Sequence, residues 1–290
     1  MPGPEHHPDT DLYVTDLDGT LLDADGRLPA RSRAALADLL AARAPLTYCT
    51  ARGLPDSGQA LDGLPFTLPA GYYNGALIAR PDTGEVLDER TLPPAATPPL
   101  LDALRAAGAR PQLIGRTGTE QVVLTEPPGN PAEEAFHRAR AGRDPRLRTA
   151  PGYPPRVDAA YALVCLDAAA TVRALAEAAT ALAPPGVAVT VFDASEHPGH
   201  LVLQIGAADA DKGTAVRRIA ELAGYRPDRL VVFGDSGNDL PMFAAARDAY
   251  AVAGATGAVR RLARQVIGPS ALAAVPQKLH ELLERPWPHP

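Results

Sequence analysis

The sequence predicts an α/β protein, a doubly wound parallel sheet interrupted by a large inserted α/β domain. Three observations carry this. Short apolar runs at residues 12–14, 46–49 and 230–233 have strand length and end in polar turns, with amphipathic stretches between them. Strand and helix therefore alternate at both ends of the chain, as they do in a parallel sheet. Between about residues 82 and 205 the pattern changes to strand pairs with helices of their own, enough for a separate core. The expected division is a core from residues 1–81 and 206–290 and an insertion from 82–205.

In order, the first strand at 12–14 precedes a helix over 30–43, where Ala34, Leu36, Leu39 and Leu40 recur at helical spacing. A strand at 46–49 runs into Thr50-Ala51-Arg52-Gly53, and a helix covers 56–62. Asn74-Gly75 marks a tight turn. In the insertion, 85–92 reads as a strand, 97–107 as an amphipathic helix, and 112–115 and 121–125 as strands paired around Gly118. A helix at 131–141 leads to a Pro- and Arg-rich connector over 142–156. A strand at 161–166, an Ala-rich helix at 169–182, and strands at 187–192 and 201–205 complete it. The first pattern then returns. Asp211 is placed to cap a helix over 212–222 that Gly224 ends, the strand at 230–233 follows, and a helix opens near Pro241. A strand at 249–253 and helices at 256–264 and 275–284 finish the core.

Composition narrows the function classes. Apolar residues make up 46% of 290, enough for a packed core, and no apolar run approaches the ~20 residues of a membrane span. The net charge of −6, without a basic cluster, argues against nucleic acid as a partner. Cys49 and Cys165 both lie in apolar runs and read as small buried residues rather than as a disulfide. The chain opens with no basic-then-apolar leader, so the expectation is a cytoplasmic protein, monomer or homodimer. The basic residues are 26 Arg and two Lys, Lys212 and Lys278, which makes each Lys worth attention.

The stretch that organises the chain is Asp16-Leu17-Asp18-Gly19-Thr20-Leu21, where the first strand ends and the chain turns. Ligands of open α/β sheets bind at the carboxyl ends of strands. Two carboxylates two residues apart share a side if the strand continues, and they repel unless a cation or proton lies between them. Mg²⁺, which takes oxygen ligands and keeps several waters, is the simplest such cation. A calcium-binding helix–loop–helix is excluded, since counting from Asp16 puts Leu21 where that loop needs Gly and Arg27 where it needs Glu. Two other strand ends are also polar, at Thr50 and at Asp235/Asn238/Asp239, and a parallel sheet brings all three to one edge. Lys212 opens a helix, where a cation opposes the helix dipole. It is either a solvated surface lysine or, with the helix end, part of an anion site. Asp239 is equally readable as a helix cap, and Thr50 and Arg52 as turn and surface groups. Taken together, four acidic groups, one hydroxyl, one ammonium and backbone N–H groups form the inventory that phosphoryl transfer requires.

The order Asp-x-Asp-Gly-Thr, Thr-Ala-Arg, Asp-Lys-Gly, Gly-Asp-Ser-Gly-Asn-Asp resembles the four motifs of the haloacid dehalogenase superfamily. The Asn74-Gly75-Ala76 turn and the insertion between the second and third motifs resemble its Cof-like sugar-phosphatase branch. The resemblance covers residues 11–80 and 206–265, and the insertion only in size and position. It implies a Rossmann-like core under a cap and a Mg²⁺-dependent phosphatase acting on a small phosphorylated metabolite, in particular a sugar phosphate. In that scheme Asp16 attacks phosphorus and Asp18 is the acid/base. The metal is held by Asp16, the backbone carbonyl of Asp18 and Asp235, with Asp239 positioning its waters or Lys212. Thr50 and Lys212 grip the phosphoryl group, and Arg52, Asn74, Gly75 and Asn238 line the pocket. In the insertion, the polar segment 193–200 is the best candidate for reading the leaving group, through Glu196 and His197. Asp18 argues against dehalogenation, which needs no proton on the leaving halide. A sugar phosphomutase and a non-catalytic ligand-binding module on the same fold are the alternatives.

Overall fold

A computed structural model of the chain describes residues 7, 9–61, 63–140, 144–152, 157–194 and 199–287. The chain divides into two compact units, Met1–Glu89 with Asp211–Pro290, and Arg90–Ala210.

The first unit begins with β1 (Leu12–Thr15), α1 (Ala30–Ala41), β2 (Leu46–Tyr48), α2 (Leu54–Leu61), β3 (Ala70–Tyr72), β4 (Leu77–Ala79) and β5 (Val86–Glu89). The second unit holds α3 (Thr97–Ala106), β6 (Gln112–Thr117), β7 (Glu120–Thr125), α4 (Pro131–Arg140), β8 (Leu147–Thr149), β9 (Ala159–Ala168), α5 (Ala169–Leu182), β10 (Val187–Asp193) and β11 (His200–Ala207). The first unit resumes with α6 (Lys212–Leu222), β12 (Leu230–Gly234), α7 (Leu240–Ala245), β13 (Asp248–Ala251), α8 (Gly257–Leu262), β14 (Gln265–Val266) and α9 (Ala274–Leu282).

The core sheet is parallel throughout, in the order β14-β13-β12-β1-β2. β1 and β12 are buried along their whole length, so they read as continuous apolar runs rather than alternating ones. They pair with Leu12 opposite Leu230 and Thr15 opposite Phe233. Both therefore end at one level, which fixes where the residues just past them lie. A bridge from Cys49 to Gly71 links the end of β2 to the small antiparallel sheet β3-β4-β5.

That small sheet shifts the expected boundary. Residues 86–89 read as the start of the insertion, yet β5 pairs with β4 through Leu77–Glu89 and Ile78–Asp88, so it stays with the core. The second unit starts at Arg90 rather than 82 and ends at Ala210 rather than 205. Its sheet runs β10-β11-β9-β6-β7-β8, antiparallel except for β7–β8. Residues 147–149, expected as connector, form β8. This strand is short and partly exposed, with Arg148 at its centre, so it carries no hydrophobic signature. β14 was missed for the same reason, being two exposed residues. Leu100, Leu101, Leu104, Leu113, Leu163, Val172, Leu175, Leu203 and Ile205 build a core belonging to this unit alone. Both cysteines are buried, and burial pushes each thiol up to about 12, as expected of packing residues. Among the described residues no helix is long and apolar enough to cross a membrane.

Leu203 lies at the middle of β11 with no exposed surface. Leu203→Ala should destabilise the protein by ~2–5 kcal/mol, the range for deleting a buried leucine. Urea unfolding followed by circular dichroism measures this, and a loss below ~1 kcal/mol would show that the insertion's core is not packed as described.

Candidate active site

The site is built on strand ends. The β1–β12 ladder continues one residue past the strands, since the Asp16 N–H donates to the Phe233 carbonyl at 2.9 Å. Asp16 and Asp235 thus leave neighbouring parallel strands at the same edge. The Cys49 N–H donates to the Thr15 carbonyl, which brings Thr50 to that edge from β2. The sheet alone therefore gathers the three polar strand ends seen in the sequence.

Lys212 occupies the centre. It is fully buried, and its Nζ donates to Asp16 Oδ1 and to Asp239 Oδ1, both at 2.6 Å. The solvated-surface reading is excluded. Burial alone would lower the ammonium's pKa, but the carboxylates of Asp16 and Asp239 outweigh it and raise the pKa. Their charge also offsets the unfavourable position of a cation on the first turn of α6. Asp211 caps that helix, its Oδ1 accepting from the N–H groups of Gly213 and Thr214.

Asp239 does two jobs. Oδ1 holds Lys212, while Oδ2 accepts from the Asp235 and Ser236 N–H groups at 2.8 and 3.0 Å. The Ser236 hydroxyl in turn accepts from the Asp239 backbone N–H, completing a reciprocal cap. Sequence reasoning passed over Ser236, although the Ser236-x-x-Asp239 spacing could have shown it.

Asp16, Asp235 and Asp239 each offer a carboxylate oxygen within 4.8 Å of the others. Burial, opposed by Lys212 and reinforced by Asp239, Asp235 and Asp18, raises the pKa of Asp16. Burial and Asp239 push Asp235 up to about 6, while the Thr20 hydroxyl and Lys212 hold it down. Three carboxylates against one ammonium leave a deficit of two positive charges. An all-oxygen donor set with that deficit fits a divalent cation.

The Asp18 side chain does not join this cluster, so the two carboxylates of the first motif do not share a side; the metal ligand expected at this position is its backbone carbonyl. Arg52 binds the Asp18 side chain through two guanidinium nitrogens, Nε donating to Oδ2 at 2.8 Å and Nη2 to Oδ1 at 2.5 Å. The extended form that would align residues 16 and 18 stops after β1. The N–H groups of Thr20, Leu21 and Leu22 all turn back onto the Leu17 carbonyl, and Gly19 sits at φ +73°. A Cβ on Gly19 would lie 2.5 Å from Asp235 Oδ2, so only glycine lets this loop pass the carboxylate. The same turn brings the Thr20 hydroxyl to Asp235 Oδ1 at 3.1 Å, a contact the sequence did not suggest.

The Asn74 turn closes the other side. Tyr73, Asn74 and Gly75 have φ of 51°, 57° and 96°, three left-handed residues in succession. The Asn74 N–H donates to the Thr50 carbonyl and the Tyr73 N–H to that of Arg52, which stitches the turn to the second motif. Asn74 Oδ1 accepts from Asn238 Nδ2 at 2.9 Å, joining the second and fourth motifs. Thr50 is fully buried and its hydroxyl accepts from the Arg52 N–H. Gly75, expected among the pocket residues, packs against α6: a Cβ there would meet the Asp211 carbonyl at 2.6 Å. Glu196 and His197 fall within 195–198, outside the described residues.

The fold and the motifs have relatives. The structure is similar to that of a protein from Thermotoga maritima, with TM-score 0.74 and 23% identity over 94% of this chain and 97% of that one. It is similar to a haloacid dehalogenase-like hydrolase from B. subtilis, with TM-score 0.77 and 18% identity over 94% and 100%. A third similar structure is described as a sugar phosphatase of haloacid dehalogenase subclass IIB, with TM-score 0.73 and 16% identity over 94% and 99%. At these identities the likenesses establish the fold. In sequence, 74 residues are 39% identical to a phosphoglycolate phosphatase of Halorubrum lacusprofundi, a stretch covering 26% of this chain and 33% of that protein's length. The sequence model of one family matches residues 13–279, nearly the whole chain, and the chain belongs to that family, the haloacid dehalogenase-like hydrolases.

Proposed function

We propose that this chain is a Mg²⁺-dependent phosphatase that hydrolyses a small phosphorylated metabolite, a sugar phosphate in particular, through a phospho-aspartate on Asp16. The observation that carries the reading is Lys212, buried and hydrogen-bonded to Asp16 and Asp239, with Asp235 alongside. A lysine holding one oxygen of a carboxylate at a sheet edge orients that carboxylate and leaves its other oxygen for attack.

In this scheme Asp16 Oδ2 attacks phosphorus as the ester P–O bond breaks. Asp18 gives its proton to the departing oxygen, then takes one from the water that attacks the phospho-aspartate and releases phosphate. Asp18 is paired bidentately with Arg52. For the acid step Arg52 must exchange that contact for one with the substrate. Thr50 and Lys212 hold the transferring oxygens, and the linked Asn74 and Asn238 border the pocket. Asp16 and Asp235 would hold Mg²⁺, whose role is to neutralise charge on the phosphoryl group. Asp239 stays with Lys212 and the backbone of Asp235, since both its oxygens are engaged there. The core motifs bind phosphate and cation and contain nothing to read an organic group. Choice of substrate is therefore assigned to the insertion, with Glu196 and His197 as the first residues to test.

Three measurements check this reading. Phosphate release from a panel of phosphorylated metabolites should require Mg²⁺, stop with EDTA, and fall by about three or more orders of magnitude in Asp16→Asn. Near-normal turnover in that variant, in a preparation free of other phosphatases, contradicts the nucleophile.

Lys212→Arg should lower turnover by ~10²-fold or more, because a planar guanidinium cannot replace a compact ammonium between two carboxylates. Lys278→Arg, at a lysine paired with Glu281 away from these residues, should leave it unchanged. Equal small effects would remove Lys212 from the chemistry.

The raised pKa of Asp235, about 6, also has a consequence for stability. The folded state holds that proton more tightly than the unfolded chain does. The resulting stabilisation is full below the ordinary carboxylate range and disappears as pH rises through about 6. A cation takes the proton's place above that pH. Mg²⁺ at a hundredfold excess over Kd should therefore stabilise the protein by about 2.7 kcal/mol near pH 7.5 and by much less near pH 5. Thermal melts at the two pH values read this, and Asp235→Ala should abolish the difference. A Mg²⁺ effect equal at both pH values would mean that the cation binds elsewhere.

A further inference from the structure

The two edges of the insertion's six-stranded sheet are built differently. β8 is three residues long with an arginine at its centre, short and charged as protected edges are. β10 is seven residues long, and from Val187 to Phe192 it has no charge and no proline. Its inner side pairs with β11 along its whole length. Gly186 accepts from the Ala208 N–H and the Ala194 N–H donates to the His200 carbonyl, so even-numbered residues bond inward. Val189 and Val191 therefore direct their N–H and C=O groups outward. Among the described residues no strand pairs with that side. The rim is also apolar. Val191 is 38% exposed and Leu182, on the helix packed beside it, 53%. A groove of about 370 Å³ lined by Pro93, Pro99, Leu182, Pro184 and Pro185 opens where β10 begins.

We propose that β10 is the seam of a weak two-fold homodimer, in which the β10 strands of two copies pair antiparallel and extend the sheet across both. The strand is self-complementary about Thr190. In that register Val189 of each copy faces Val191 of the other in hydrogen-bonded pairs, and the two Thr190 residues meet between them. Valine–valine and threonine–threonine pairs stabilise such a ladder, and no like charges oppose each other at these positions. An isologous contact of this kind closes on itself and uses up both open edges. The available area sets its strength. Seven residues span ~24 Å, and a sheet with one helix layer is ~20 Å deep, giving ~500 Å² on each copy. A standard stable interface buries ~800 Å² per partner, so this dimer forms reversibly and only at raised concentration.

Sedimentation velocity of the full chain from ~1 to ~200 µM tests it. The expected result is a shift from monomer towards dimer across that range. Val191→Lys places a charge at an already exposed position and should keep the chain monomeric at the highest concentration, with unchanged circular dichroism. Thr190→Lys, on the opposite face of the strand, should do the same and stands in if the first variant misfolds. Arg148→Ala, at the other edge, should dimerise like the parent. A chain monomeric throughout overturns the proposal. So does a dimer that survives both lysine substitutions, one lost in Arg148→Ala, or growth beyond two copies.

Discussion

Everything in the core unit is arranged around one buried cation. Lys212 is held between carboxylates from two sequence motifs. Burying such an ensemble is costly, and removing one partner from a buried pair is typically worse, by ~3–5 kcal/mol, because the survivor is left uncompensated. The lysine is thus as much a structural demand as a chemical group. α6 has to start where it does, its first turn must tolerate a positive charge, and Asp239 must spend one oxygen on Lys212 and the other on the backbone beside Asp235.

The close approaches around the site follow from that demand. Gly75 lets the Asn74 turn touch the backbone at Asp211, and Gly19 lets the first loop pass within contact of Asp235. Left-handed backbone at non-glycine residues costs of order 1–3 kcal/mol where it is strained, and Tyr73 is such a residue. It persists because hydrogen bonds to the Thr50 and Arg52 carbonyls hold the turn on both sides. The two asparagines then join the second motif to the fourth by one side-chain bond, so the loops position one another as well as the ligand.

The insertion solves a different problem. It has a core of its own, with α3 and α5 contributing leucines to one face of an antiparallel sheet. An open sheet of this kind always leaves two edges. One here is short and charged, whereas the other is long, apolar and regular, and that asymmetry is what makes the edge informative.

Much of this was legible in the sequence. Continuous apolar runs ending in polar turns marked β1, β2 and β12, and the same runs placed Asp16, Thr50 and Asp235 at one sheet edge, because parallel pairing brings equivalent ends together. Helix α6 and its Asp211 cap followed from periodicity and composition, signals that are local along the chain. What tertiary structure alone decided is where one element meets another. The sequence left Lys212 open between a solvated and a buried role, and only packing of α6 against the strand ends makes it buried and doubly paired. It grouped Asp18 with the other carboxylates on the strength of two-residue spacing, but the backbone turns at Gly19 and delivers that side chain to Arg52 instead. It assigned β5 to the insertion, although β5 pairs with β4. It missed β8 and β14, whose few exposed residues carry no pattern of their own. The contacts that bury Lys212 and hold Asp18 join residues distant in sequence, where no local regularity records them.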